Sequence, residues 1–216
     1  MKIVLLGAMD NEIEKYLTFF SLKKIKEDFY EGVFKSHQIL VCKCGIGKVN
    51  AAMRVQYLID TYHPDFIINS GCAGSLQDHF HLLDLALITS ATYHDFLPER
   101  IMKYSVPEEG NIKTDSNILL KIKKILKEEN IPYIESSICS GDSFVTTEEQ
   151  KMNIRERTHA DLVDMESASI AHVARKNNVS YLILRVISDF ANGEDDFEEK
   201  AAYKASEVVK KILEKI

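Results

Sequence analysis

Short apolar runs rich in β-branched residues alternate along this chain with segments whose apolar residues return every three to four positions, and that alternation admits few folds. A nearly unbroken apolar run of four to eight residues is a strand buried on both faces. Such strands belong to parallel or mixed sheets covered by helices. Residues 2–7 (KIVLLG), 66–69, 83–89, 133–139, 162–164 and 181–187 (YLILRVI) are predicted strands. Residues 29–34 and 39–44 read as a hairpin about Ser36 and His37, the one antiparallel element expected. Helical spacing covers 11–20, with Asp10 in the capping position, and then 48–62, 117–129, 147–157, 167–177 and 198–216. The GCAGS segment at 71–75 reads as a turn, and 94–114 as a polar stretch. The predicted fold is an α/β three-layer sandwich around a twisted, mostly parallel mixed sheet.

No repeat, low-complexity tract or Pro/Gly-rich linker interrupts the pattern, so residues 1–216 are expected to form a single domain. The 27 basic and 33 acidic residues give a net charge of −6, with no basic stripe to neutralise a phosphate backbone. Nucleic acid is therefore not an expected partner. The apolar runs are strand-sized, and acid follows directly behind the first of them. Neither a membrane span nor a signal peptide is expected, and the chain is expected to be cytoplasmic. The four cysteines form no CxxC pair, and His79 and His81 beside Asp78 lack a third ligand at metal-binding spacing, so no metal is expected.

In open α/β sheets, ligands bind beyond the carboxyl ends of the strands, where unpaired backbone groups and helix starts gather. Met9 and Glu12 follow the first predicted strand, Gly45, Ile46 and Gly47 follow 39–44, and Gly71 to Gly74 follow 66–69. Gly141 to Val145, Glu166 and Asp189 follow later strands in the same way. Each has an ordinary explanation when taken alone. The glycines can make a tight turn, Glu12 can complement a helix dipole, and Phe144 can be core. The GIGK segment lacks the early glycine and the Ser/Thr of a phosphate loop. Asp189 is the most suggestive, because a carboxyl at the end of an apolar strand is desolvated, which favours its protonated form.

Seven segments in order give the chain a recognisable character: GAMDNE (7–12), GIGKVNAA (45–52), INSGCAG (68–74), YHD (93–95), SGDSF (140–144), VDMESASIAHV (163–173) and RVISDFAN (185–192). Together they resemble the 5′-methylthioadenosine/S-adenosylhomocysteine nucleosidases of the purine nucleoside phosphorylase superfamily. The resemblance implies hydrolysis of an adenine nucleoside without cofactor, in nucleoside catabolism and methionine salvage. It implies that Asp189 protonates N7 of adenine, and that Glu12, with Arg185 nearby, activates water. Glu166 and the Met165 backbone would hold the ribose, and Phe144 and Val145 would stack on the base and read its edge. The Cys72-Ala73-Gly74 turn belongs to the same pocket, with Cys72 where the family usually has serine. Met9, Ile46 and Phe197 would border the sugar and its 5′-group. A homodimer is implied as well, although residues 96–110 depart from the family's usual lid sequence. Phosphorolysis would need more cations at strand ends than Arg185 alone. A non-catalytic sensor would have no need of both an acid and a water activator.

Overall fold

The computed structural model describes residues 1–193 and 198–216. Its centre is one ten-stranded mixed sheet. The first strand, β1 (Lys2–Gly7), lies between β4 (His37–Lys43) and β5 (Phe66–Ser75), parallel to both. Strand β3 (Phe29–Phe34) pairs antiparallel with β4 as the expected hairpin, and β2 (Lys23–Lys26) adds an antiparallel edge. That edge strand is exposed throughout and carries three lysines, which blunt it against pairing with another chain. It has no apolar signature, which is why the sequence reading passed over it.

The other half of the sheet curls onto itself. Strand β10 (Ser180–Asp189) runs parallel along β5 and antiparallel to β6 (Leu85–Tyr93). Strand β6 pairs parallel with β8 (Ile134–Ser140), β8 with β9 (Leu162–Asp164), and β9 returns antiparallel to β5. These five strands close a small ring. Antiparallel pairing is thus more frequent than the single hairpin predicted, because closing the ring reverses the chain direction at β6 and again at β9. A two-residue strand, β7 (Ile112–Lys113), also pairs antiparallel with β6.

Helices cover both faces. Helices α2 (Lys48–Tyr62) and α6 (Ser167–Lys176) enclose a core with Val4, Leu58, Ile67, Ile88, Ile138 and Ile183. On the opposite face α1 (Asp10–Phe19), α4 (Ser116–Glu128) and α7 (Lys200–Leu213) enclose Leu5, Tyr16, Ile68, Leu87, Leu184 and Val209. Successive strand residues supply alternate faces, as the pleat requires. The polar stretch contains a four-residue helix, α3 (Met102–Ser105), and α5 (Glu148–Thr158) packs Ile154 against Leu76, Cys139 and Val145. Among the described residues no helix is long and apolar enough to cross a membrane.

Two local readings are corrected. The N-cap of α1 is Met9, one residue before Asp10. The GCAGS segment is not a turn: it continues β5 to Ser75, still paired along β10. On the opposite edge, β5 leaves β1 after Asn69 and meets β9 only at Gly74. Between those points lies a fork, a gap in which residues 70–73 have no strand neighbour on that side.

Candidate active site

The fork opens into a cavity of about 270 Å³. Ala8, Met9 and Glu12 reach it from the end of β1 and the start of α1, and Cys72, Ala73 and Gly74 from the free edge of β5. Ile46, Phe144, Val145, Met165, Glu166 and Asp189 complete most of the set expected from sequence. Ser143, Val163, Asp164, Ser188 and Ala191 also line it. Phe197 lies outside the described residues.

The glycines of β5 explain how two carboxylates fit against one strand. A Cβ at Gly71 would lie 1.9 Å from Glu12 Oε1, and one at Gly74 would lie 2.8 Å from Asp189 Oδ1. Neither position can carry a side chain without displacing an acid. Gly71 and Gly74 therefore keep the strand clear for side chains arriving from α1 and β10.

Four acids line the cavity, and their hydrogen bonds separate their roles. Asp164 Oδ1 accepts from the Ser140 hydroxyl at 2.5 Å and from the amides of Glu166 and Ser167. Its Oδ2 accepts from the Ser167 hydroxyl at 2.5 Å and from Arg185 at 2.8 and 3.1 Å. A carboxylate has about four acceptor sites. All of those of Asp164 are taken, so it anchors the start of α6 and has no lone pair left for chemistry.

Glu12 is different. Its Oε2 accepts from the amides of Ala8 at 2.5 Å and Met9 at 3.2 Å, the reaching-back half of a capping box. Its Oε1 accepts from Cys72 N–H at 3.0 Å, an amide left free by the fork. Among the described residues one acceptor site on Oε1 stays open toward the cavity. Asp189 Oδ1 accepts from Ala191 N–H at 2.9 Å and Oδ2 from the Ser188 hydroxyl at 2.8 Å, which leaves a site on each oxygen among the described residues. Glu166 Oε1 accepts from Gly47 N–H at 2.7 Å, and Oε2 has no hydrogen-bond partner among the described residues. Burial, with the Asp164 charge adding to it, pushes the Glu166 carboxyl up to about 8 against the opposing pull of Gly47 N–H and Arg185.

Arg185 does not stand where the sequence reading put it. Its side chain is fully enclosed within β10, absent from the cavity lining, and committed to Asp164, Asn69 Oδ1 and the Ser167 hydroxyl. Asn69 in turn donates to Leu6 O. A buried guanidinium needs such partners, and they draw it away from the cavity. The Cys72 thiol is pushed up mainly by burial and then by the Glu12 charge, so it stays protonated. The hydrogen bonds that fix Asp189 come from Ser188 and Ala191, so a thiol in place of a hydroxyl does not unseat that acid. Ser188 was legible as the residue directly before Asp189; Asp164 was seen only as a strand end.

A curled mixed sheet with carboxylates set at the fork defines an α/β enzyme site for a small polar ligand, and comparison with known proteins specifies it. The family model described as the Phosphorylase superfamily matches residues 2–216. A protein from Buchnera aphidicola subsp. Acyrthosiphon pisum (strain Tuc7) named 5′-methylthioadenosine/S-adenosylhomocysteine nucleosidase is 37% identical, over 100% of this chain and 99% of its own. Among solved structures, the Helicobacter pylori MTAN mutant with 5′-methylthioadenosine in the active site is 31% identical, with a TM-score of 0.90 over 100% of this chain and 99% of its own. A futalosine hydrolase mutant of Helicobacter pylori strain 26695 has a TM-score of 0.91 at 30% identity, covering 100% of both chains. The chain belongs to the phosphorylase superfamily and, within it, to the 5′-methylthioadenosine/S-adenosylhomocysteine nucleosidases, a family of glycosidic-bond hydrolases.

Proposed function

We propose that residues 1–216 form one unit that hydrolyses the N-glycosidic bond of 5′-thio-substituted adenosines, 5′-methylthioadenosine and S-adenosylhomocysteine among them, to free adenine and the thioribose. The observation that carries this reading is the pair Glu12 and Asp189, both seated against the glycines of β5 and both with open acceptor sites. Asp189 supplies the proton to N7 of the departing purine, held in place by Ser188 and Ala191. Withdrawing electrons through N7 weakens the bond to C1′ and lets positive charge grow on the ribose, as general acid catalysis must. Glu12 takes a proton from the attacking water at its open Oε1. Glu166 and the Met165 backbone hold the ribose hydroxyls, and once the Glu166 carboxyl has released its proton its charge stabilises the developing cation. Phe144 and Val145 seat the base, while Met9, Ile46, Ala73 and Gly74 complete the walls.

Hydrolysis is favoured over phosphorolysis by the absence of any lysine or arginine from the cavity lining among the described residues. The start of α2, where a phosphate would find free amides, is already filled by Glu166 and Asp142. A second copy of the chain is the proposed partner. Val49, Met53 and Tyr57 are exposed four residues apart on one face of α2, beside Ile46 at the cavity mouth, and Leu97, Ile101 and Tyr104 are exposed nearby in sequence to the YHD segment. Sedimentation at twice 24.6 kDa checks the homodimer, and a monomer at micromolar concentration rejects it.

The test of function is product analysis with 5′-methylthioadenosine, with and without phosphate. Adenine and methylthioribose form equally in both. A sugar 1-phosphate that appears only with phosphate overturns hydrolysis, and binding without turnover points to a sensor.

Glu166 links this function to stability. Its carboxyl holds a proton to about pH 8 in the folded protein, whereas the unfolded chain releases it near the ordinary glutamate value of 4.5. The folded state therefore binds more protons between those values, and this group's contribution to stability falls as pH rises through the window. Glu166→Gln keeps an oxygen for Gly47 N–H and removes the buried charge. Its Tm is expected to rise relative to the parent between pH 5 and 9 while nucleoside turnover is lost. A Tm difference that stays flat over this range rejects the buried, proton-holding Glu166.

A further inference from the structure

We propose that Asp142 is a positioning residue for Glu166 and acts on it through the first turn of α2. This deepens the reading of Glu166 as the group that holds the ribose, and rests on it. A helix start leaves amides that need acceptors, usually supplied by the N-cap side chain. Here the N-cap is Gly47, at φ +96°, a conformation that L side chains rarely adopt, so the turn cannot cap itself. Two acids from other loops cap it instead. Gly47 N–H donates to Glu166 Oε1 at 2.7 Å, and the next amide, Lys48 N–H, donates to Asp142 Oδ1 at 2.8 Å. The two peptide planes meet at the Gly47 Cα, so a hydrogen bond that holds the second amide narrows the φ/ψ freedom of this glycine and with it the directions open to the first.

Asp142 is itself held by a closed circuit. Its own N–H donates to Asp95 Oδ2 at 2.8 Å, and Lys48 Nζ donates to Asp95 Oδ1 at 2.5 Å while lying 3.6 Å from Asp142 Oδ2. Burial works to raise the Asp95 carboxyl, but the bonds from Lys48 and Asp142 outweigh it and hold the group below its ordinary value. The loops after β4, β6 and β8 are thereby tied together. At Gly141 a Cβ would lie 2.3 Å from the His94 ring, so the third loop can pass only as glycine. Asp142 does not line the cavity, and its side chain is about half exposed, the profile of a surface ion pair worth little to stability. Its effect is one of direction: Gly47 N–H is the sole donor to Glu166 among the described residues, and Asp142 aims it.

The test compares two ligands. Free adenine reads the base site, and a C-nucleoside analogue of adenosine, whose C1′–C bond cannot be hydrolysed, reads base and ribose together. Asp142→Ala should weaken the C-nucleoside about tenfold, the factor that corresponds to ~1.4 kcal/mol, and leave adenine within about twofold. Asp142→Asn keeps an oxygen for Lys48 N–H and should restore most of the loss. In a Glu166→Ala background, which removes the acceptor of Gly47 N–H, Asp142→Ala should have no further effect on the C-nucleoside. A parallel loss for adenine and nucleoside would mean that Asp142 only braces the Phe144 loop, and overturns the inference. So does an undiminished effect in the Glu166→Ala background. If Glu166→Ala itself leaves C-nucleoside binding unchanged, the ribose assignment is what fails, and this inference falls with it.

Discussion

Asp189→Asn is expected to lower kcat for adenine release by about 10²- to 10⁴-fold, the usual contribution of general acid–base catalysis, and to leave the fold and the affinity for adenine nearly unchanged. The local geometry makes this a clean substitution. Asparagine can keep an oxygen toward Ala191 N–H, which now donates to Asp189 Oδ1 at 2.9 Å. Its NH₂ group then faces Ser188, whose hydroxyl can rotate from donor to acceptor. No buried polar group loses its partner, so stability should change little. What disappears is the transferable proton. The amide can still donate a hydrogen bond to N7 and hold the base, yet it cannot neutralise the leaving purine. At 1.36 kcal/mol per tenfold, the loss amounts to about 3–5 kcal/mol of transition-state stabilisation. Single-turnover adenine release at saturating nucleoside, paired with a thermal melt, measures both halves. A variant within tenfold of the parent removes Asp189 from the role of acid, and one that loses rate and Tm together shows that the substitution disturbed the fold.

The same site shows where sequence reasoning succeeds and where it stops. Alternating strands and helices were legible because burial on both faces of a strand leaves a continuous apolar run, as in β1, β9 and most of β10. The convergence of Met9, Ile46, Phe144, Glu166 and Asp189 followed from one rule about strand ends. Gly71 and Gly74 were misread because glycine is usually a statement about its own backbone. Here it is a statement about Glu12 and Asp189, which come from elsewhere in the chain. Arg185 was misplaced for a related reason. Its position in a strand is local information, whereas the partners that turn it inward, Asn69, Asp164 and Ser167, lie on three other segments. Asp164 reads only as the end of a short strand until its donors from β8, α6 and β10 are counted. Edge strand β2 and the two-residue β7 bury too little to leave a pattern.

Glu12→Gln should behave unlike Asp189→Asn, because among the described residues Glu12 accepts only from backbone amides, and amides cannot rotate to accept. Cys72 N–H points at one oxygen, and Ala8 and Met9 N–H point at the other. A glutamine must turn its NH₂ toward one of these groups. The less costly choice faces Cys72, which leaves that amide unpaired and brings two donors together in a site where Glu12 is 5% exposed. An unsatisfied buried donor costs about 1–3 kcal/mol, and the lost charge at the start of α1 adds to it. For a chain of this length each kcal/mol corresponds to about 2–4 °C in Tm. The same orientation replaces the open acceptor on Oε1 by N–H groups, so water can no longer be deprotonated there. Glu12→Gln should therefore lose about 10²- to 10⁴-fold in kcat and also melt several degrees lower. Differential scanning calorimetry beside the adenine-release assay tests both. If Tm is unchanged, Glu12 is not held by three amides in solution; if turnover stays within tenfold, the water is activated elsewhere.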